Sequence, residues 1–169
     1  MKKILSQGLV MFAGIVSVPA TATHADRNAP GPAEWRGTWE KRDPRLAALR
    51  KYFHAGDCPA ADLSQVFLFE ADTHHLDWRL LPGIAMVESS GGKAYRGNNM
   101  FGWDRGDYRF DRLSAGIHMV ASRLANSNLY RDKNLDEMLG TYNTHPGYSE
   151  RVKSVMRRIT ISPVWQSPS

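Results

Sequence analysis

Cysteine is almost absent from this chain, and its scarcity limits what can hold the fold together. Cys58 is the single cysteine among 169 residues. An intrachain disulfide is therefore excluded, even if the protein works in an oxidising compartment. The simplest interpretation of Cys58 is a small, buried, hydrophobic side chain.

Several motifs that would indicate a cofactor or a common chemistry are also missing. No cysteine and histidine pairs stand at the spacing of zinc ligands. His74 and His75 are adjacent, so on a helix their side chains would point apart. The sequence therefore predicts no metal and no cofactor. It also lacks a Gly-x-Ser-x-Gly elbow and a phosphate-binding glycine loop, which argues against esterase and nucleotide-binding functions.

Charge excludes one further class of partner. The formal net charge is only +5, and no dense run of basic residues is present. Such a run would be expected in a nucleic-acid-binding surface, so no nucleic-acid partner is predicted. A mildly basic chain suits an anionic polymer as partner.

The first 25 residues have the pattern of an export signal. Lys2 and Lys3 precede a mostly apolar run, residues 4–18, and small residues around Ala22 and Ala25 suit cleavage. The apolar run is short and interrupted for a membrane span. We therefore predict a signal peptide over residues 1–25 and a periplasmic or secreted protein, with an uncleaved anchor as the weaker alternative.

The remaining chain divides by composition. Residues 26–42 are rich in proline, glycine and charge, and predict a flexible linker or tail. Trp35 and Trp39 in this segment are expected to dock on the domain or on a ligand. Residues 43–162 form the predicted catalytic domain, and residues 163–169 a C-terminal tail.

Helical periodicity dominates the predicted domain. Asp43 and Pro44 predict an N-cap followed by a proline in the first turn, and Asn134 with Glu137 predicts a capping box. The periodicity disappears over residues 89–110, which are rich in glycine, asparagine and aromatic residues. We predict a mainly α fold of about six short helices, with a small irregular or β lobe after the third helix.

The segment LLPGIAMVES contains the most informative residue of the chain. Leu81, Ile84 and Ala85 share one helical face, and the next position on that face is Glu88. A carboxylate that reaches water or pairs with an arginine would explain this pattern as well as an active-site acid. Apolar neighbours and the negative end of the helix both disfavour the charged form of Glu88. We therefore expect a raised pKa, as a general acid at neutral pH requires.

The run LDWRLLPGIAMVESSGG, residues 76–92, resembles the catalytic segment of the lysozyme-like superfamily. It is most similar to bacterial lytic transglycosylases and glucosaminidase-type muramidases. There, a helix ending in Glu-Ser precedes a loop with an aromatic-Gly step and then a tyrosine segment, which correspond here to residues 98–103 and 142–148. The resemblance spans about residues 46–159. It implies a lysozyme-like fold, cleavage of β-1,4 bonds in peptidoglycan, and Glu88 as catalytic acid and then base.

Two further residues are candidates for the catalytic machinery. A hydrolase needs a second carboxylate, and we favour Asp104 over Asp107, which suits a turn, and over Asp111, which suits the N-cap of the next helix. A transglycosylase needs none, because a group of the substrate itself acts as nucleophile. The resemblance places Tyr142 near Glu88, where it steadies a cationic transition state or packs in the core.

Substrate contacts are predicted for seven side chains, each with a structural alternative. The serines bind sugar or cap the helix end, the asparagines bind an N-acetyl group or form turns, and the aromatic rings stack on sugar or pack the lobe. The seven are Ser89, Ser90, Asn98, Asn99, Phe101, Trp103 and Tyr148. Tyr95 and Tyr108 are further candidates for stacking on sugar rings.

The sequence thus predicts an exported, monomeric peptidoglycan glycosidase whose partner is the glycan strand. A cell-envelope protein partner is compatible with this prediction. The alternative is a non-catalytic lysozyme-fold module that binds glycan or assembles a cell-envelope machine, which the mild charge and the short lobe favour. Hydrolysis and transglycosylation both remain open, as does the choice of glycosidic bond.

Overall fold

A computed structural model of the chain describes residues 43–161, and this part is mainly α-helical. The predicted signal peptide, the linker and the C-terminal tail lie outside the described residues. The helices are α1 (Pro44–Ala55), α2 (Ser64–Thr73), α3 (Leu80–Ser89), α4 (Leu113–Asn126), α5 (Leu135–Tyr142) and α6 (Tyr148–Arg158). Within residues 43–161, every helix is too short or too polar to cross a bilayer.

The lobe between α3 and α4 is irregular. Its regular features within the described residues are a 3-10 turn at Trp103–Gly106 and one isolated antiparallel bridge between Arg96 and Asn99. Of the two forms that the sequence allowed for this lobe, the structure shows the irregular one.

Local sequence signals set two helix starts as predicted. The Asp43 side chain accepts a hydrogen bond from the Arg45 backbone N–H at 2.9 Å, and Pro44 follows at the first helical position. Asn134 Oδ1 accepts from the Glu137 N–H at 3.0 Å, while Glu137 Oε2 accepts from the Asn134 N–H at 2.9 Å. The predicted N-cap and the predicted capping box are therefore both confirmed.

The predicted cap of α4 is wrong. Arg112, in an extended conformation, occupies the N-cap position, and no side chain caps this helix. The Asp111 backbone is instead held in the lobe, where its carbonyl accepts a hydrogen bond from Asn98 Nδ2 at 3.2 Å. Asp111 therefore serves the lobe rather than the start of α4.

Helix α3 is the helix that carries Glu88, and seven of its ten residues are buried. It packs most extensively against α6 and also contacts α2. Gly83 allows the close approach of α6, since a Cβ there would lie 3.1 Å from Met156 Cγ. Pro82 is tolerated because it lies in the first turn of α3. The helix that ends beside Glu88 is thus held by packing on two sides.

A row of phenylalanine rings joins α1, α2 and the lobe in the core. The ring centroids of Phe53 and Phe67 are 5.7 Å apart, and those of Phe67 and Phe101 are 6.4 Å apart. Cys58 is buried beside this core, as predicted, and burial raises the pKa of its thiol. The lobe is therefore anchored to the helices through Phe101.

Candidate active site

Glu88 is the penultimate residue of α3 and lines a cleft between that helix and the irregular lobe. The cleft has a volume of about 540 Å³, which is within the usual range for ligand-binding pockets. Its polar and aromatic lining includes Glu88, Tyr95, Arg96, Asn99, Arg105 and Asp107. Of the stacking candidates, Tyr95 lies in this lining.

The environment of Glu88 shifts its acidity in the predicted direction. Burial raises the pKa of Glu88 above its usual range, because the charged form loses water. The Tyr148 hydroxyl, the Asn143 side chain and the positive charge of Arg151 oppose this shift without cancelling it. A carboxyl group with a raised pKa beside an open cleft is suited to donate a proton.

Gly102 forms a wall of the cleft against the Glu88 carboxylate. Its φ is +62°, and a Cβ at this position would lie 2.7 Å from Glu88 Oε2. A side chain here would be strained by the backbone conformation and would also collide with the carboxylate. Gly102 was not among the predicted site residues, although the aromatic-Gly step was the sequence signal for it.

Tyr142 holds the backbone next to Gly102. Its hydroxyl donates a hydrogen bond to the Phe101 carbonyl at 2.7 Å, and its ring packs against Trp103 and stacks on Tyr148. Burial, together with the nearby Glu88 charge, holds the pKa of Tyr142 well above its usual value. Because its proton is committed to a carbonyl, the geometry favours a positioning role over direct stabilisation of a cation.

Three of the predicted substrate contacts are turned into the fold. Ser89 is buried, donates to the Ala85 carbonyl and accepts from the Gly92 N–H, both at 3.1 Å. The Phe101 ring is fully buried, and Tyr148 is only 1% exposed. In this structure these side chains cannot contact a substrate, because they have almost no accessible surface.

The two asparagines hold the lobe together. Asn98 Nδ2 donates to the Phe110 carbonyl at 2.9 Å. Asn99 Nδ2 donates to the carbonyls of Trp103 and Tyr108 at 2.8 and 3.0 Å, and its Oδ1 accepts from the Trp103 N–H at 2.9 Å. Their amide groups thus stabilise the turns of the lobe, which was the structural alternative to binding an N-acetyl group. Asn99 also lines the cleft.

The remaining predicted residues lie at the edges of the site. Ser90 is the left-handed C-cap of α3, and Trp103 packs partly against the core. Asp104 is exposed and is not among the residues that line the cleft, whereas Asp107 is. Of the acids considered, Asp107 rather than Asp104 therefore shares the cleft with Glu88.

Sequence reasoning missed two groups that tune Glu88. Asn143 follows α5, and Arg151 lies one turn after Tyr148 on α6, with its guanidinium carbon 5.8 Å from the Tyr148 ring centroid. Tyr148 and Arg151 are three residues apart, which places them on one helical face, and this spacing was the sequence signal that could have predicted the role of Arg151.

Comparisons of the chain with protein-family models, with curated protein sequences and with solved structures find no match. The resemblance of residues 76–92 to the lysozyme-like superfamily therefore stays a prediction.

Proposed function

We propose that this protein is an exported glycosidase that cleaves β-1,4 bonds between the N-acetylated amino sugars of peptidoglycan. The observation that carries the proposal is Glu88, whose pKa is raised by burial and whose carboxylate lines a cleft of ligand size. The motif resemblance supplies the substrate class. The predicted export signal places the enzyme in the periplasm or outside the cell, where peptidoglycan is found.

Glu88 acts first as an acid. Its proton passes to the glycosidic oxygen as the bond to the anomeric carbon breaks, and positive charge develops on the sugar ring. The carboxylate left behind is stabilised by the Tyr148 hydroxyl, the Asn143 side chain and the Arg151 charge, which favour the ionised form. In a transglycosylase or a retaining hydrolase, Glu88 then acts as a base and recovers a proton from the attacking 6-hydroxyl group or water.

The lining of the cleft suits a glycan that carries carboxylates. Tyr95 offers a ring that is 41% exposed, on which a sugar can stack. Arg96 and Arg105 supply positive charge to the same cleft. The stem peptides of peptidoglycan carry carboxylates that such arginines bind well.

Whether the reaction needs a second carboxylate distinguishes a hydrolase from a lytic transglycosylase. Asp107 is the acid that lines the cleft together with Glu88, so it is the candidate base or nucleophile of a hydrolase. A lytic transglycosylase would instead use the 2-acetamido group or the 6-hydroxyl of the substrate, and Asp107 would then be dispensable.

Product analysis tests the proposal. Purified sacculi are digested with the wild-type protein and with Glu88→Gln, and the released muropeptides are weighed by mass spectrometry. We expect release by the wild type and a loss of at least about 100-fold in the variant, because general acid catalysis contributes about 10²–10⁴-fold. Unchanged release by Glu88→Gln would overturn the proposal.

The same digest separates the remaining alternatives. Anhydro-sugar ends would indicate a transglycosylase, and ordinary reducing ends a hydrolase. For a hydrolase, Asp107→Asn should lose activity while the matched variant Asp104→Asn keeps it. Binding of the wild type to sacculi without any released product would favour the non-catalytic glycan-binding module.

A further inference from the structure

A second cluster of titratable side chains lies away from the cleft, where the end of α2 meets the middle of α4. Glu70 lies on the last turn of α2, His74 is the C-cap residue that follows this helix, and His118 lies on α4. Glu70 Oε2 is 2.9 Å from His118 Nδ1 and 3.5 Å from His74 Nε2. One ligand atom from each residue lies within 4.8 Å of the other two.

Ordinary pairing between Glu70 and the histidines leaves one atom unexplained. His74 Nε2 is buried and has no hydrogen-bond partner among the described residues. The Glu70 and His74 side chains are only 8% and 12% exposed, so water satisfies neither of them fully. A buried nitrogen without a partner is costly and calls for a ligand.

We propose that Glu70, His74 and His118 bind one divalent transition-metal ion, with Zn²⁺ as the best fit. Zinc bonds of about 2.0–2.1 Å in a tetrahedral arrangement separate neighbouring ligand atoms by about 3.3 Å. The separations of Glu70 Oε2 from the two histidine nitrogens, 2.9 and 3.5 Å, lie on either side of this value, and the two histidine nitrogens lie within 4.8 Å of each other. Two imidazoles and one carboxylate select zinc, cobalt or nickel over magnesium and calcium, which prefer all-oxygen ligands.

The surroundings suit a three-ligand site with one open position. The His118 side chain is 63% exposed, so the fourth position faces solvent and takes water. The exposed Asn126 Nδ2 lies 3.4 Å from His74 Nδ1. When Nε2 binds the metal, Nδ1 carries the proton, and a flip of the Asn126 amide makes Oδ1 its acceptor.

The bound ion would fasten α2 to α4. Helix α2 contacts α3, and its Phe67 packs against Phe101 in the lobe. The expected consequence is a more stable domain, because an ion that binds only the folded state shifts the unfolding equilibrium. This inference does not depend on the proposed glycosidase activity.

Metal titration tests the site directly. The untagged protein is freed of metal with a chelator, and ZnCl₂ is titrated in a calorimeter while the thermal midpoint is followed separately. We expect one ion per chain and a raised midpoint. His118→Ala should weaken binding by at least about 100-fold, since loss of even an outer hydrogen-bond partner of a ligand costs about 10–100-fold. His54→Ala is the matched control, because His54 is also exposed on a helix and should leave the affinity unchanged.

Cobalt provides a readout that needs no variant. Co²⁺ added to the wild-type protein should give the intense visible absorption of a four-coordinate ion, and Zn²⁺ should displace it. Three outcomes would each overturn the proposal. They are a Co²⁺ spectrum as weak as that of the hydrated ion, a failure of Zn²⁺ to bind stoichiometrically, and an equal affinity for Zn²⁺ in His118→Ala and the wild type. The cluster would then be a plain hydrogen-bonded Glu–His pair.

Discussion

A carboxyl group that first donates a proton and then recovers one needs apolar neighbours, which favour its protonated form, and polar neighbours, which favour its charged form. Glu88 has both. Ile84 and Ala85, one turn before it, are fully buried in the core. Tyr148 and Arg151 favour its charged form from α6. The Tyr148 hydroxyl is buried and has no partner of ordinary hydrogen-bond geometry among the described residues. An unpaired buried hydroxyl is costly, so we infer that it donates to Glu88 whenever that carboxylate is charged.

Gly102→Ala tests how closely the lobe must approach this carboxylate. The added Cβ would collide with Glu88 Oε2 at 2.7 Å, so the acid must move. We expect the rate of muropeptide release to fall by about 10–100-fold, because small displacements of a catalytic group cost about this much. Left-handed backbone strain adds about 1–2 kcal/mol of lost stability.

Gly106→Ala separates strain from collision. Gly106 also has a positive φ of +86°, but a Cβ there meets nothing within 4 Å. Gly106→Ala should therefore lose about as much stability as Gly102→Ala, but much less activity. Equal loss of activity in the two variants would contradict a specific contact between residue 102 and Glu88.

At the scale of elements, the site depends on how α6 lies against α3. Helix α6 supplies Tyr148 and Arg151, and α5 ends at Tyr142, whose hydroxyl fixes the Phe101 carbonyl. Gly83 lets α3 and α6 approach closely. The packing of these helices therefore decides which groups surround Glu88.

Gly83→Val is expected to separate α3 from α6. Even a Cβ at residue 83 would be 3.1 Å from Met156 Cγ and 3.2 Å from Val152 Cγ1. Overpacking of this kind costs about 1–3 kcal/mol, which urea denaturation measures. Activity should also fall, because Tyr148 and Arg151 move away from Glu88.

Gly140→Val is the control for helix propensity. Gly140 lies within α5, and a Cβ there meets nothing within 4 Å. Its free energy of unfolding should change by at most about 0.5 kcal/mol, as is usual for a surface substitution. If both valine variants lost the same stability, the contact between α3 and α6 would not be the cause.

At the scale of the whole molecule, the acid at the end of α3 makes global stability depend on pH. Burial raises the pKa of Glu88 in the folded state, while a glutamate in the unfolded chain has a pKa of about 4.3. Below the unfolded pKa the group is protonated in both states and its burial carries no charge penalty. As pH rises through the folded pKa, the native state must ionise a partly buried acid, and this stability is lost.

Glu88→Gln should therefore stabilise the protein at neutral pH. Its thermal midpoint should exceed that of the wild type at pH 7, and the difference should shrink toward pH 4. Scanning calorimetry of both proteins at the two pH values checks this. A difference that does not change with pH would show that ionisation of Glu88 carries no cost in the fold.

The sequence by itself determined what local chemistry can encode. The caps at Asp43 and Asn134, the mainly helical fold and the place of Glu88 near the end of α3 follow from side chains and neighbours within a few residues. The burial of Cys58 followed from the usual behaviour of a free cysteine as a small hydrophobic side chain. The raised pKa of Glu88 followed from its apolar neighbours and its position at the helix end, both visible in the chain. Such features depend on helix capping and periodicity, which act over one or two turns.

Only the tertiary structure decided which distant groups meet. The fold turned the Phe101 ring into the core while its carbonyl faced Tyr142, and it brought Asp107 rather than Asp104 to the cleft. It also placed His118 beside Glu70, 48 residues away, although the adjacent histidines just after α2 had argued against a metal site. The physical reason is the same in each case. Contacts between distant residues depend on how the helices pack and on how the lobe, held by the hydrogen bonds of Asn98 and Asn99, folds back. Neither can be predicted from a local sequence pattern.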